Sequence, residues 1–140
     1  MAQTETPPPP NATRLLATSR IRAWHPWEPT DLLLEQGQRY YFRATGIWWD
    51  AWIRCDANGY QRTLTRKADA GLRCQAAEAH WFTLIGAIGQ SNGSLFPIGD
   101  GSRWRDGWTA PADGRLYAFA NDWEHWYWNN FFSVTLEVWQ

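Results

Sequence analysis

The chain has 140 residues, with 13 basic and 14 acidic side chains and a formal net charge of −1, which suits one domain around one core and is short for two. Balanced charge argues against nonspecific nucleic-acid binding, whose affinity comes from phosphate neutralisation, so no nucleic-acid partner is expected. The longest apolar runs, such as Leu32-Leu33-Leu34, fall far below the roughly 20 residues of a membrane-spanning helix, so no transmembrane segment is expected.

Met1 to Thr6 lacks the charged start and apolar stretch of a signal peptide, which points to a cytoplasmic or non-classically released protein. Pro7-Pro8-Pro9-Pro10 follows, and residues 1–13 read as a flexible Pro-rich tail ahead of a domain over residues 14–140. No later stretch keeps helical periodicity for three turns, and turn residues recur at the spacing of an all-β fold. A first strand is predicted over Leu15 to Trp24, stopped by Pro26 and Pro29, and a second over Thr30 to Leu34. In the third, Tyr40, Phe42 and Ala44 alternate with Tyr41, Arg43 and Thr45, one set inward and the other outward. Trp48 to Ala79 reads as short strands within a long excursion. Trp81 to Ile88 is too apolar for a half-exposed strand and is placed centrally. Gly89 to Gly107 is a glycine-rich loop region around a short Leu95-to-Ile98 segment. Asp113-Gly114 signals a hairpin feeding Arg115 to Ala120. Phe132, Val134, Leu136 and Val138 then form the inward face of a last strand. The expected architecture is a β-sandwich.

Twelve tryptophans accompany a single lysine, Lys67. A domain this small cannot hide that much indole, and exposed aromatic patches mark ligand or partner sites, self-association into a homo-oligomer included. Cys55 and Cys74 have no zinc spacing. Without a route to an oxidising compartment, free thiols are favoured over a disulfide, which would close a loop of about 20 residues. Asp56-Ala57-Asn58-Gly59 has a fragment of an EF-hand loop but no flanking helices, and reads as a turn. Arg103-Trp104-Arg105-Asp106-Gly107-Trp108 reads as an Arg–Trp stacked surface. His25, His80 and His125 lie in no recognisable nucleophile motif, and no enzymatic activity is expected.

The segment with most chemistry is the loop Asn121-Asp122-Trp123-Glu124-His125-Trp126-Tyr127-Trp128-Asn129-Asn130, longer than a hairpin needs. Mixed oxygen donors on such a loop suit calcium, which takes 6–8 oxygens in irregular geometry. Asp122 would supply charge, and Asn129 and Asn130 neutral oxygens. On residues alone, a polar loop that binds nothing stays an open alternative.

Asn121-Asp122, then Tyr127, Asn129-Asn130 and Phe132-Ser133-Val134 resemble the calcium loop of the PA-IL-like bacterial galactophilic lectins. Further stretches agree in order: Ala44 to Trp48, Asp69 to Cys74, Leu84 to Gly89 and Ala110 to Gly114. The resemblance implies a small jelly-roll-like, galactose-binding-domain-like β-sandwich with one calcium (Ca2+) at its loop end. It implies Asp122, Asn129 and Asn130 as metal ligands, with backbone carbonyls from Trp126 and around Asp50. Two sugar hydroxyls would complete the shell, with Asp122, Asn129, Asp50, Trp123 and Lys67 on the sugar. A family His and Gln correspond to Lys67 and Ala70, and Trp126 stands where the family has a small polar residue. Galactose preference is therefore expected to weaken, with Trp123, Trp126 and Trp128 offering stacking faces instead.

The reading is thus a non-enzymatic, calcium-dependent lectin for galactose or a related hexose. Its rivals are a Trp-rich interaction or self-assembly module without sugar binding, and a noncatalytic domain of a longer enzyme.

Overall fold

Alternating apolar residues place the strands, and pairing gathers them into two antiparallel sheets. The computed structural model describes residues 7–62 and 66–140. Its strands are β1 (Leu15–Arg22), β2 (Glu28–Leu34), β3 (Arg39–Thr45), β4 (Trp48–Asp50), β5 (Ile53–Cys55), β6 (Leu84–Ile88), β7 (Phe96–Pro97), β8 (Trp108–Thr109), β9 (Gly114–Ala120) and β10 (Asn130–Trp139). Short 3-10 turns are the only helical elements among the described residues. One sheet runs β5-β4-β10-β3-β8 with β1 also on β10; the other runs β2-β9-β6-β7. The all-β sandwich read from the sequence is the fold observed.

Both sheets feed one core. Ile21, Phe42, Trp48, Val134 and Leu136 from the first meet Leu84, Leu116 and Ala118 from the second, all buried. Phe96 stacks on Trp108 with centroids 4.1 Å apart, and Trp48 meets Phe82 edge-on at 5.6 Å. Such pairs add about 0.5–1.5 kcal/mol each beyond area burial. The central placement of the apolar stretch before Gly89 holds, because β6 lies between β9 and β7. Its opposite face is covered too, with Ile85 packing against Phe119, Cys74 and Tyr127.

Several boundaries differ from expectation, each for a local reason. β1 stops at Arg22, whose guanidinium grips Glu28 through Nε–Oε1 at 2.6 Å and Nη2–Oε2 at 2.8 Å. β2 starts at Glu28 and includes Pro29, tolerated because β2 is an edge strand with an irregularity between Pro29 and Leu33. Phe82 has φ +60° and delays β6 until Leu84. Asp113-Gly114 is no hairpin, since β8 and β9 belong to different sheets. Phe132, expected inward, is 64% exposed at φ +66°. Tyr41 is buried on the outer face of β3 with Ala12 and Trp139. Of the proline-rich tail, Met1 to Thr6 lies outside the described residues. Farther along it, Asn11 Nδ2 donates to the Arg105 carbonyl at 2.8 Å, and Thr13 N–H to that of Gln140.

Cys55 and Cys74 are buried free thiols. Burial, then the nearby Asp50 and Asp56, pushes the Cys55 thiol up to about 12; burial also raises Cys74. A thiol reagent should therefore label the native protein slowly and find both thiols after unfolding without reductant. Zero thiols on unfolding would contradict this.

Glu28 carries the clearest acid dependence. Burial pushes its carboxyl up, but the hydrogen bonds and charge of Arg22, helped by His25, outweigh that and hold it below the ordinary value of 4.5. A depressed carboxyl stabilises the fold above its unfolded pKa, and that contribution is lost as pH falls through the folded value. Glu28→Gln should lower Tm at neutral pH and flatten the loss of Tm between about pH 6 and about pH 3. Parallel acid limbs for the two proteins would show that the pair contributes nothing.

Candidate functional site

The loop between β9 and β10 passes from one sheet to the other, so its length is that of a crossing rather than a hairpin turn. Two buried side chains fix its course. Asn121 accepts from Cys74 N–H at 2.9 Å and donates to the carbonyls of Cys74 and His80 at 3.1 Å each. Tyr127 donates to the Ala120 carbonyl at 2.7 Å and accepts from Arg73 at 2.7 Å. Arg73 itself lies 3.5 Å over the Phe119 ring. Between these anchors Asp122 is held inward, and beyond them Asn130 opens β10 opposite Asp50 of β4.

The structure thereby brings together Asp122, Asn129, Asn130 and Asp50, which the sequence assigned to one site. Asp122 accepts from Trp123 N–H at 2.7 Å and from Asn130 Nδ2 at 3.0 Å. The other Asn130 amide hydrogen goes to the Ala23 carbonyl at 3.0 Å. Asn129 Oδ1 and Asn130 Oδ1 are buried with no hydrogen-bond partner in the protein. Leaving such an acceptor unpaired costs about 1–3 kcal/mol. Burial pushes the Asp122 carboxyl up to about 6; the Asp50 charge adds to the rise, while Asn130, Trp123 and Arg62 oppose it. Asp50 accepts from Tyr60 OH and, at 3.3 Å, from Arg62 Nη2. Among the described residues no three His, Cys, Asp or Glu side chains gather as a metal site. A cation here would need the amide oxygens as well as the two carboxylates.

Above this floor opens a cleft of ≈ 440 Å³, lined by Asp50, Trp52, Arg62, Trp123, Trp126 and Asn129 among others. Asp50 and Asp122 lie deep in it, and Trp52 and Trp126 stand at its rim, 83% and 45% exposed, while Trp81 is buried in its wall. Trp123 is fixed by Nε1 donating to the Ala68 carbonyl at 2.7 Å. Gly71 lets it sit there, because a Cβ would come within 2.6 Å of the Trp123 Nε1. Lys67 is exposed on the 3-10 turn Arg66–Gly71, and it is Ala68 of that turn that lines the cleft. Trp128 is exposed outside the lining.

Sequence reasoning missed four contributors. Trp52 sits on the β4–β5 turn, after Ala51 at φ +53°; its one signal was an aromatic two residues beyond Asp50. Tyr60 and Arg62 hold Asp50, and Trp81 lies 4.0 Å beneath the Arg62 guanidinium. These depend on chain segments meeting in space. The Asp56-to-Gly59 segment is a turn as expected, with Asn58 N–H on Asp56 Oδ1 at 2.8 Å. The Arg–Trp stack over Arg103 to Trp108 does not form. Trp108 is buried against Phe96, Trp104 donates to the Pro97 carbonyl, and Arg103 reaches Glu78.

No protein-family model matches this chain, and no curated protein does. Among solved structures the chain is similar to one described as "EclA N-terminal domain; PllA-like lectin", with 17% identity, TM-score 0.64, and coverage of 90% of this chain and 97% of that one. At that identity the likeness speaks for the fold. The fold is a two-sheet β-sandwich like that of this neighbour, and the cleft lies where its crossing loop meets β4.

Proposed function

We propose that this chain is a calcium-dependent carbohydrate-binding protein for galactose or a related hexose, akin to the PA-IL-like lectins. The observation that carries the reading is the pair of buried, unpartnered oxygens of Asn129 and Asn130 beside Asp122, under an indole-rimmed cleft. Carboxylate and amide oxygens together are a hard, mixed donor set of the kind calcium takes. Asp122, Asn129 and Asn130 would hold the ion, joined by carbonyls of Trp126 and around Asp50. When bound, calcium offers coordination positions that neighbouring sugar hydroxyls fill. Asp122 and Asn129 would accept hydrogen bonds from those hydroxyls, while Trp123 and Trp126 would cover the C–H face of the ring and exclude water. Lys67 would contact the sugar from the exposed turn, where its charge favours acidic or sulfated derivatives.

An ion that binds only the folded chain raises stability by RT ln(1 + [L]/Kd), about 2.7 kcal/mol at a hundredfold excess over Kd. Calcium should therefore raise Tm in the wild type and leave Tm unchanged in Asp122→Ala. Equal melting in EDTA and in excess calcium would remove the site assignment.

Sugar recognition is tested on a glycan array read with calcium and with EDTA. Galactosides should be retained weakly and only with calcium, because the family's His and Gln contacts fall on Lys67 and Ala70. A hydrogen bond lost to a neutral group costs about 0.5–1.5 kcal/mol, up to roughly tenfold in affinity. Retention indifferent to EDTA would count against the reading. The rival reading, a self-assembly module, draws on Phe131 and Phe132, exposed side by side at the start of β10. Growth in particle size with concentration, in the absence of any glycan retention, would favour it.

A further inference from the structure

Trp128 is the indole that the cleft leaves unused. It is 72% exposed and lines no part of the cavity. Core packing does not account for it, and with its neighbour Trp126, 45% exposed, it forms a contiguous apolar patch of the kind that marks contact surfaces. Its position is set by neighbours on both sides. Tyr127, buried and tied to Ala120 and Arg73, anchors the 3-10 turn Tyr127–Asn129. Trp126 lies on the other side of that anchor, its ring 5.7 Å from that of Trp128 and tilted by 35°. The row continues inward, with Trp126 to Trp123 at 6.1 Å and Trp123 to Trp81 at 6.2 Å. Trp126 and Trp128 thus form a track that starts on the rim of the cleft and ends on the open surface, with Trp123 edge-on to Trp126 at 80° and Trp81 buried beside Trp123.

We infer that this track is a second subsite, which takes the sugar residue attached to the one held in the cleft, so that the ligand is an oligosaccharide. The inference rests on the reading of the cleft as a sugar site. A pyranose ring suits the track because it has a flat C–H face for the indole and hydroxyls at its edge. Glu124 and His125, exposed in the same loop between Trp123 and Trp126 in sequence, offer polar groups to a hydroxyl-bearing ligand. A purely aromatic group would stack equally well but would leave those side chains unaddressed. Anchoring by Tyr127 means the surface is ordered before the ligand arrives, which lowers the entropic cost of stacking.

The experiment compares three probes in calcium: methyl β-galactoside, phenyl β-galactoside, and a panel of galactose-terminated di- and trisaccharides. Each is titrated into wild type and Trp128→Ala. Wild type should bind at least one oligosaccharide more tightly than the methyl galactoside. Trp128→Ala should weaken that oligosaccharide about 2- to 10-fold, the range of one aromatic stacking contact, and leave the methyl galactoside unchanged. The calcium-induced rise in Tm should be the same in both proteins, which separates loss of the subsite from loss of the fold or of the ion. Oligosaccharides no tighter than the methyl galactoside, or equal weakening of all probes, would overturn the subsite. A Trp128 effect confined to the phenyl galactoside would also overturn it, in favour of an aromatic aglycone. Absence of any calcium-dependent Tm rise would instead remove the reading beneath it.

Discussion

Asn130 commits both amide hydrogens, one to the Ala23 carbonyl and one to Asp122, and its oxygen is left bare in the interior. That single side chain ties the start of β10 to the segment just after β1 and to the Asp122 carboxylate. Burying a carboxylate is costly unless it is paired. Here Arg62, whose charge opposes the rise at Asp122, is bonded to Asp50 instead. Two carboxylates and two unpartnered amide oxygens therefore share one small region, and this is the physical basis for proposing a hard cation there. The same four groups dispersed over a surface would be ordinary solvated side chains.

Their convergence depends on the fold rather than on the loop sequence alone. β9 and β10 lie in different sheets, so the loop between them must travel from one sheet to the other. It does so between two satisfied buried groups, Asn121 and Tyr127. The pairing of Asn130 with Asp50 then sets β4 beside the loop, and Ala51 N–H bonds the Asn129 carbonyl at 2.9 Å. Each donor is thus positioned by an element that the core holds in place. A constellation built this way is stiffer than one carried by a free loop.

How far the sequence could be read follows from what each residue depends on. Tyr40, Phe42 and Ala44 turned inward as alternation requires, because period two is a property of the strand itself. The loop 121–130 stood out by its composition, and its carboxylate and amides do converge. Phe132 escaped because alternation assumes an unbroken strand, whereas its positive φ turns the side chain outward. Asp113-Gly114 misled because turn chemistry reports a local bend and not which sheet follows it. Trp52, Tyr60 and Arg62 were invisible as site residues, since only tertiary packing brings them to Asp50.

Twelve tryptophans in 140 residues divide by position into distinct physical roles. Trp48 and Trp108 are core, closed over by aromatic neighbours. Trp81 and Trp123 form a wall, each with its indole N–H bonded: Trp81 to Asp69 and Trp123 to the Ala68 carbonyl. Trp52 and Trp126 are rim. Under the proposed reading, an ion would sense the geometry of two hydroxyls and little else, so selectivity would come from what surrounds it. A hydrogen bond to a neutral group and an aromatic stacking contact carry similar free energies, each about 0.5–1.5 kcal/mol. At a sugar site of the kind proposed, indoles would therefore supply discrimination comparable to that of polar contacts. The discrimination would differ in kind. Hydrogen bonds distinguish one hydroxyl configuration from another, whereas a stacking face distinguishes the shape and reach of the ligand. On that argument an indole-rich cleft that bound sugar as proposed would favour extended ligands over any one stereoisomer of the terminal sugar.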